Sequence, residues 1–281
     1  FYFNMNKKFI PIIGTISAGK STFLQGLLGI NVFETGSTTT TKFVCLIKNN
    51  NQARFHHVIP EKNNNIIEFK RSEQKEEVIG EEKIKNKIKE INQSITEEQI
   101  NKGDIFYMLE IPIKNIENIE SLNECYFMDI PGLNENNSPY IDKIFSLISL
   151  DDIKFEIMIF DSTSIGSDNI LNIIKNLESK KGLQKSGNLF ILNKIDKIKP
   201  NEEAEVINKF KQYFYENFED DKNENLIPIN LNENKFIPMN ALRLLAETKI
   251  KDDFCSMLIV EFFNYNESSD KGQFTSFYNT L

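Results

Sequence analysis

The chain has 281 residues, 40% hydrophobic and 26% charged, with 33 basic against 41 acidic side chains and a net charge of −8. That composition suits a globular protein with a sizeable core, and its acidic balance argues against broad nucleic-acid binding or a polybasic membrane surface. No run approaches the ~18 apolar residues that span a bilayer, and the opening Phe1-Tyr2-Phe3-Asn4 lacks the charged start and cleavage site of a signal peptide. Cys45, Cys125 and Cys255 lie far apart in apolar settings without metal-ligand spacing, the pattern of reduced, buried thiols in a cytosolic protein.

In chain order, residues 9–13 read as an apolar strand and 22–29 as a helix beyond a glycine-bearing turn. Residues 31–41 are polar and rich in Thr. Residues 42–48 read as a strand, and 54–59 as a second strand pairing back on it across Asn49-Asn50-Asn51. Asn63-Asn64-Asn65 is another turn, followed by the apolar stretch 66–69. In the charged stretch 72–102, Ile84, Ile88, Ile91 and Ile95 are spaced by four, three and four, one apolar stripe of a helix with a solvated charged face. Residues 105–113 and 125–130 read as two strands, and the short link between them predicts an antiparallel hairpin within the sheet.

The second half alternates. Strands are expected at 155–160, 189–192 and 236–239, and helices at 168–177, 202–218 and from about 241 to 263, with a polar loop over 219–234. Such alternation predicts an α/β fold with a mostly parallel central sheet covered on both faces. No boundary is evident before residue 264. Residues 1–264 are therefore expected to form one domain, with 265–281 a linker or the start of a truncated segment.

The chemistry is concentrated at four places. Gly14-Thr15-Ile16-Ser17-Ala18-Gly19-Lys20-Ser21 reads G-x-x-x-x-G-K-S between a strand and a helix, the P-loop pattern. Its inward N–H groups and the positive end of the following helix, from Lys20 through Thr22, form a nest for phosphate. Gly14 and Gly19 permit a phosphate approach that a Cβ would block. Lys20 can reach the β- and γ-phosphates, and Ser21 can ligate Mg²⁺. Asp129-Ile130-Pro131-Gly132, at a strand end, reads D-x-P-G. There a carboxylate can hold Mg²⁺ through water, and the Gly132 N–H can meet a γ-phosphate.

Asn193-Lys194-Ile195-Asp196 reads N-K-x-D. The Asp196 carboxylate matches the ring N–H and exocyclic amine of guanine, an arrangement adenine does not offer. The Lys194 stem can lie along the base, and Asn193 can tie back to the P-loop. Asn240 and Ala241, after the strand at 236–239, stand where a small loop offers a backbone N–H to guanine O6. Among Thr38, Thr39, Thr40 and Thr41, one should ligate Mg²⁺ in the triphosphate state; Thr41, beside the next strand, is favoured, with Thr40 second. All these groups fall at strand ends, where α/β sheets bind ligands. They predict a GTP-binding P-loop NTPase, and a P-loop kinase would leave N-K-x-D without a role.

Ser17-Ala18-Gly19-Lys20-Ser21, the following 22–29, Gly36-Ser37 ahead of Thr41, Asp129 through Leu133, and Ser167-Asp168 together resemble the dynamin superfamily of large GTPases, in its bacterial and organellar branches. The resemblance spans roughly residues 9–245. It implies a three-layer P-loop NTPase sandwich in its extended dynamin form, with an antiparallel hairpin in the sheet. It also implies GTP hydrolysis with Mg²⁺, pairing of two copies across the nucleotide face, membrane remodelling or tethering, and a cytoplasmic location with peripheral membrane contact. Ser17 is similar to the family residue that helps hold a charge-compensating monovalent cation, which adds it to Lys20, Thr41 and Gly132 as a catalytic candidate. Two departures stand out. Ile16 occupies the position of the Gln that positions water in the best-known members, and N-K-x-D replaces T-K-x-D. Ile16 motivates an alternative, a nucleotide-gated scaffold that hardly hydrolyses. An immunity-related or septin-like GTPase would share the same site.

Overall fold

The structure, a computed structural model, describes residues 8–33, 41–63, 66–73, 76–113, 122, 124–132, 139–149, 152–164, 187–194, 197–199, 201–202, 204–206, 208–209 and 236–239. Its strands in chain order are β1 (Lys8–Gly14), β2 (Val44–Asn49), β3 (Arg54–Asn63), β4 (Ile66–Arg71), β5 (Val78–Ile79), β6 (Phe106–Ile111), β7 (Cys125–Asp129), β8 (Phe155–Asp161), β9 (Gly187–Asn193) and β10 (Phe236–Met239). The described helices are α1 (Lys20–Leu28), α2 (Glu81–Ser94), α3 (Glu97–Lys102) and α4 (Pro139–Leu147). The strands form one sheet in the order β10-β9-β8-β1-β7-β2-β6-β3-β4, with β5 against β3.

Alternation along each strand divides the core into two. On β1, Ile10 and Ile12 face one core while Phe9 and Ile13 face the other. The first core is closed by Phe23, Leu24, Leu27 and Leu28 of α1 and by the Ile84, Ile88 and Ile91 stripe of α2. The second is closed by Tyr140 and Ile144 of α4 and by Ile148 just past it. Helix, sheet, helix is the three-layer α/β arrangement the alternation predicts. Each of these side chains is buried, worth roughly 1.5–3 kcal/mol apiece in transfer free energy.

Neither of the two predicted strand pairings forms. The strands at β6 and β7 are not neighbours, because β2 lies between them, parallel to β6 (Val44↔Phe106 to Asn49↔Ile111) and antiparallel to β7 (Cys45↔Asp129). Nor does β3 pair back on β2; it pairs antiparallel with β6 and with β4. The reason is burial. Val44, Cys45, Leu46 and Ile47 are all fully buried, so β2 needs cover on both faces and takes a central place. β3 carries Ile59 exposed and belongs towards the edge. The antiparallel hairpin of this sheet is β3–β4, in register from Val58↔Arg71 to Asn63↔Ile66.

The expected strands near 9–13, 155–160, 189–192 and 236–239 are present, and 204–206 and 208–209 are helical. Ile95 caps the C-terminus of α2 rather than continuing it. The helices expected at 168–177 and 241–263, the loop at 219–234 and Cys255 lie outside the described residues. Cys45 and Cys125 are buried and neither is in a disulfide.

Candidate functional site

β1, β7, β8, β9 and β10 run parallel, so their C-terminal ends share one edge. The P-loop leaves β1 there. Its Gly14 lies so close to β8 that a Cβ would sit 2.2 Å from the Ile159 carbonyl oxygen. Gly19 has φ 93°, and a Cβ on it would meet Asn193 Nδ2 at 2.3 Å. Ser17 is also left-handed, φ 59°, so the loop curls its backbone around a central space before α1 begins at Lys20. α1 ends in a left-handed Gly29 whose N–H returns to the Gln25 carbonyl. The buried Gln25 side chain accepts the Phe33 N–H at 2.9 Å, fixing the chain where it leaves the helix.

Lys20 folds back under the loop, donating to the carbonyls of Gly14 at 3.2 Å and Thr15 at 3.0 Å. Burial pushes its ammonium down to about 8, against the opposing pull of the Asp129 charge. Asp129 ends β7 with no exposed surface. Burial raises its carboxyl above the ordinary carboxylate value, and Lys20 with the Ser21 and Thr41 hydroxyls pulls it back part of the way. The Asp129 charge and burial also keep the neighbouring Cys45 thiol protonated, with burial the larger cause.

Three predicted metal residues meet. Ser21 Oγ donates to Asp129 Oδ2 at 2.8 Å, Thr41 Oγ1 donates to the same oxygen at 3.1 Å, and the two hydroxyls are 3.0 Å apart. Asp129 Oδ1, equally buried, has no hydrogen-bond partner. A buried carboxylate oxygen without a partner, beside two hydroxyl oxygens, is an all-oxygen set that fits Mg²⁺ coordinated directly by hydroxyls and through water by the carboxylate.

Gly132 packs on the P-loop so closely that a Cβ would lie 2.7 Å from Ile16 Cα. Ile16 itself is 41% exposed at the loop's tip. The base side is joined to the phosphate side directly, since Asn193 Nδ2 donates to the Ala18 carbonyl at 2.8 Å, the tie expected of that Asn. Lys194, with φ 61°, does not point freely outward; its Nζ pairs with Asp161 Oδ2 at 2.5 Å. Asp161 also receives the Thr163 N–H and hydroxyl on Oδ1 at 2.9 and 2.7 Å. Burial would raise the Asp161 carboxyl, but these bonds and the Lys194 charge outweigh it and hold it below its ordinary value.

Of the predicted site, Gly14, Ser17, Ala18, Gly19, Lys20, Ser21, Thr22, Thr41, Asp129, Gly132, Asn193 and Lys194 gather at this edge. Thr40, Asp196, Asn240 and Ala241 lie outside the described residues, as do Gly36, Ser37, Leu133, Ser167 and Asp168. The sequence reading missed Asp161, which its position closing a strand at the ligand-binding edge could have flagged. It also missed Asn92 and Tyr140, which meet the residue after Thr41 and carry no motif.

Sheet order, P-loop and the hydroxyl–carboxylate cluster define a P-loop nucleotide-binding domain. A model of the Dynamin family matches residues 10–195. The chain belongs to the dynamin family, and residues 10–195 match its GTPase domain.

Solved structures share the fold, and two of them are bacterial dynamins. One is described as an oligomerised bacterial dynamin pair that provides a mechanism for the long range sensing and tethering of membranes. It is 15% identical with a TM-score of 0.58, and the alignment covers 92% of this chain and 38% of that one. A second structure of an oligomerised bacterial dynamin pair is 16% identical with a TM-score of 0.55, covering 92% of this chain and 44% of the other. The chain thus spans less than half the length of either. No curated protein matches the sequence. Among the described residues, no helix is long and apolar enough to cross a membrane.

Proposed function

We propose that this chain binds GTP with Mg²⁺ and hydrolyses it to GDP and phosphate, residues 1–264 forming the GTPase domain and 265–281 lying beyond it. The observation that carries the reading is the meeting of the Ser21 and Thr41 hydroxyls on one oxygen of the buried Asp129 carboxylate at the mouth of the P-loop, its other oxygen having no partner. Mg²⁺, when bound, would supply positive charge against that of the phosphates. Ser21 and Thr41 would hold it through their hydroxyls, and Asp129 would hold it through water. Lys20 turns from the loop carbonyls to the phosphates, whose negative charge offsets the penalty that burial places on its ammonium. The P-loop N–H groups and the Gly132 N–H stabilise charge as water attacks the γ-phosphorus in line and the bond to the β-bridging oxygen breaks. Asp196 selects guanine, with Lys194, Asn240 and Ala241 around the base. Ser17 would help hold a monovalent cation, as the resemblance implies.

Likeness in fold to bacterial dynamin pairs supports extending the reading to a nucleotide-dependent homodimer, joined across the nucleotide face. Such a dimer would work peripherally on membranes from the cytoplasm, in remodelling or tethering. Single-turnover GTP hydrolysis at low and high protein concentration tests this. A rate above buffer that climbs with concentration is expected, and no rate at either concentration would sink the hydrolytic claim.

One observation favours a second reading. Ile16 is exposed at the loop tip beside Gly132 and offers no hydrogen bond to a water. A chain that binds GTP and pairs without accelerating hydrolysis, a nucleotide-gated scaffold, would show tight concentration-dependent pairing and a flat rate in the same assay.

A further inference from the structure

Thr41 is the residue on which the metal site closes, and the residue behind it is held unusually. Both backbone polar groups of Lys42 are taken by side chains from elements remote in sequence. Its N–H donates to Asn92 Oδ1 of α2 at 3.1 Å, and its carbonyl accepts from Tyr140 Oη of α4 at 2.8 Å. Its Nζ also reaches the Ile95 carbonyl beyond α2 at 3.4 Å. Lys42 precedes β2, where ladder bonds would otherwise begin, so these side chains stand in for the sheet at the point where Thr41 leaves it. The Tyr140 ring is fully buried, and burial, with the Asp104 charge adding to it, keeps its phenol protonated, so it is a fixed donor. Asn92 is half-buried on the helix turn that carries Ile88 and Ile91 into the core.

We infer that Asn92 and Tyr140 are positioning residues for Thr41, clamping the Lys42 peptide groups so that the Thr41 hydroxyl is presented to Asp129 and to the metal of the triphosphate state. This rests on the reading of the site as a Mg²⁺–GTP site. Two features make it specific. The clamp reaches Thr41 from two helices, one over each core of the sheet. Tyr140 also belongs to the helix that follows Gly132, so one residue ties the Thr41 segment to the element after the D-x-P-G turn. A triphosphate draws on Thr41, whereas a diphosphate with no γ-phosphate does not. Loss of the clamp therefore weakens one nucleotide selectively.

The test uses the chain with Mg²⁺, titrated separately with a non-hydrolysable GTP analogue and with GDP. Tyr140→Phe keeps the buried ring and removes one hydrogen bond; it should weaken the analogue about two- to tenfold and leave GDP unchanged. Asn92→Ala should do the same, and Asn92→Asp, which keeps the acceptor, should restore it. In a Thr41→Ala background, Tyr140→Phe should have no further effect, because its action runs through Thr41. Equal losses for both nucleotides would show a merely structural role and overturn the inference. So would unchanged analogue binding, or full additivity with Thr41→Ala. If the unmodified chain binds neither nucleotide, the Mg²⁺–GTP reading itself falls and the clamp's assignment with it. Melting temperature, measured alongside, should move little for Tyr140→Phe.

Discussion

The two halves of the sheet are built on different rules. From β10 to β7 every pairing is parallel, whereas β7–β2, β6–β3, β3–β4 and β3–β5 are antiparallel. The parallel half collects strand C-termini, and with them the P-loop, Asp129, Asp161, Asn193 and Lys194. β2 does the opposite. Because it runs against β7, with Cys45 facing Asp129, its beginning lies where β7 ends, although it runs parallel to β6 on its other side, and Thr41 arrives at the site from the front of a strand. A sheet parallel throughout would have carried Thr41 to the far edge. The antiparallel wing beyond it holds an aromatic cluster, Phe55 stacked on Tyr107 at 4.9 Å with Phe43 edge-on to Tyr107 at 5.0 Å, and contributes no predicted site residue.

That division yields graded predictions. The largest effect should come from Lys20→Ala, at the head of the parallel half. Removing a charged donor from the phosphate cradle is expected to weaken GTP by about a hundredfold or more, read by titration with a fluorescent GTP analogue; unchanged binding would discredit the P-loop assignment. Next is Asp196→Asn, which should weaken guanine nucleotides roughly ten- to a hundredfold and admit xanthine nucleotides; intact GTP affinity would break the base assignment.

A pH effect is smaller. Burial holds Lys20 at about 8, below its ordinary 10.5. Charged Lys20 therefore destabilises the fold below pH 8, and the penalty is relieved as pH rises from 8 towards 10.5. Phosphate binding favours the charged form, so GTP affinity should be highest below pH 8. Above that it should fall by at most about tenfold per pH unit. Calorimetry in buffers of different ionisation heat should register proton uptake at pH 8, and Lys20→Arg should flatten the profile. Smallest for the ligand is Phe55→Leu in the wing. It should lower stability by about 1–2 kcal/mol in denaturant unfolding and leave GTP affinity within about twofold.

How much could be read from residues alone follows the same line. In the parallel half the motif residues are local, and each strand's apolar run is bounded by its own loop, so Gly14 to Ser21, Asp129 and Asn193 can be named from the chain alone, and the fold brings them to one edge, where Asn193 bonds the Ala18 carbonyl. In the wing, pairing is decided by residues far apart. The short link from β6 to β7 suggested a hairpin, yet full burial of Val44 through Ile47 made β2 the better neighbour for both. Asn92 and Tyr140 were illegible for a related reason: an Asn on a charged helix and a Tyr after a proline acquire meaning only when Lys42 is brought between them.

The Asn193–Ala18 hydrogen bond joins residues 175 positions apart, and that separation has a temporal side. During synthesis at about 5–20 residues per second, Ala18 waits some 10–35 s before Asn193 has even been made. Until then the loop around Gly19 has no side chain to rest on, and β9, which carries that side chain, has not joined β8. The nascent chain therefore passes its early life with the P-loop sequence complete and the hydrogen bond that supports its turn unmade, and the nucleotide-binding edge is completed late, when β9 joins the sheet.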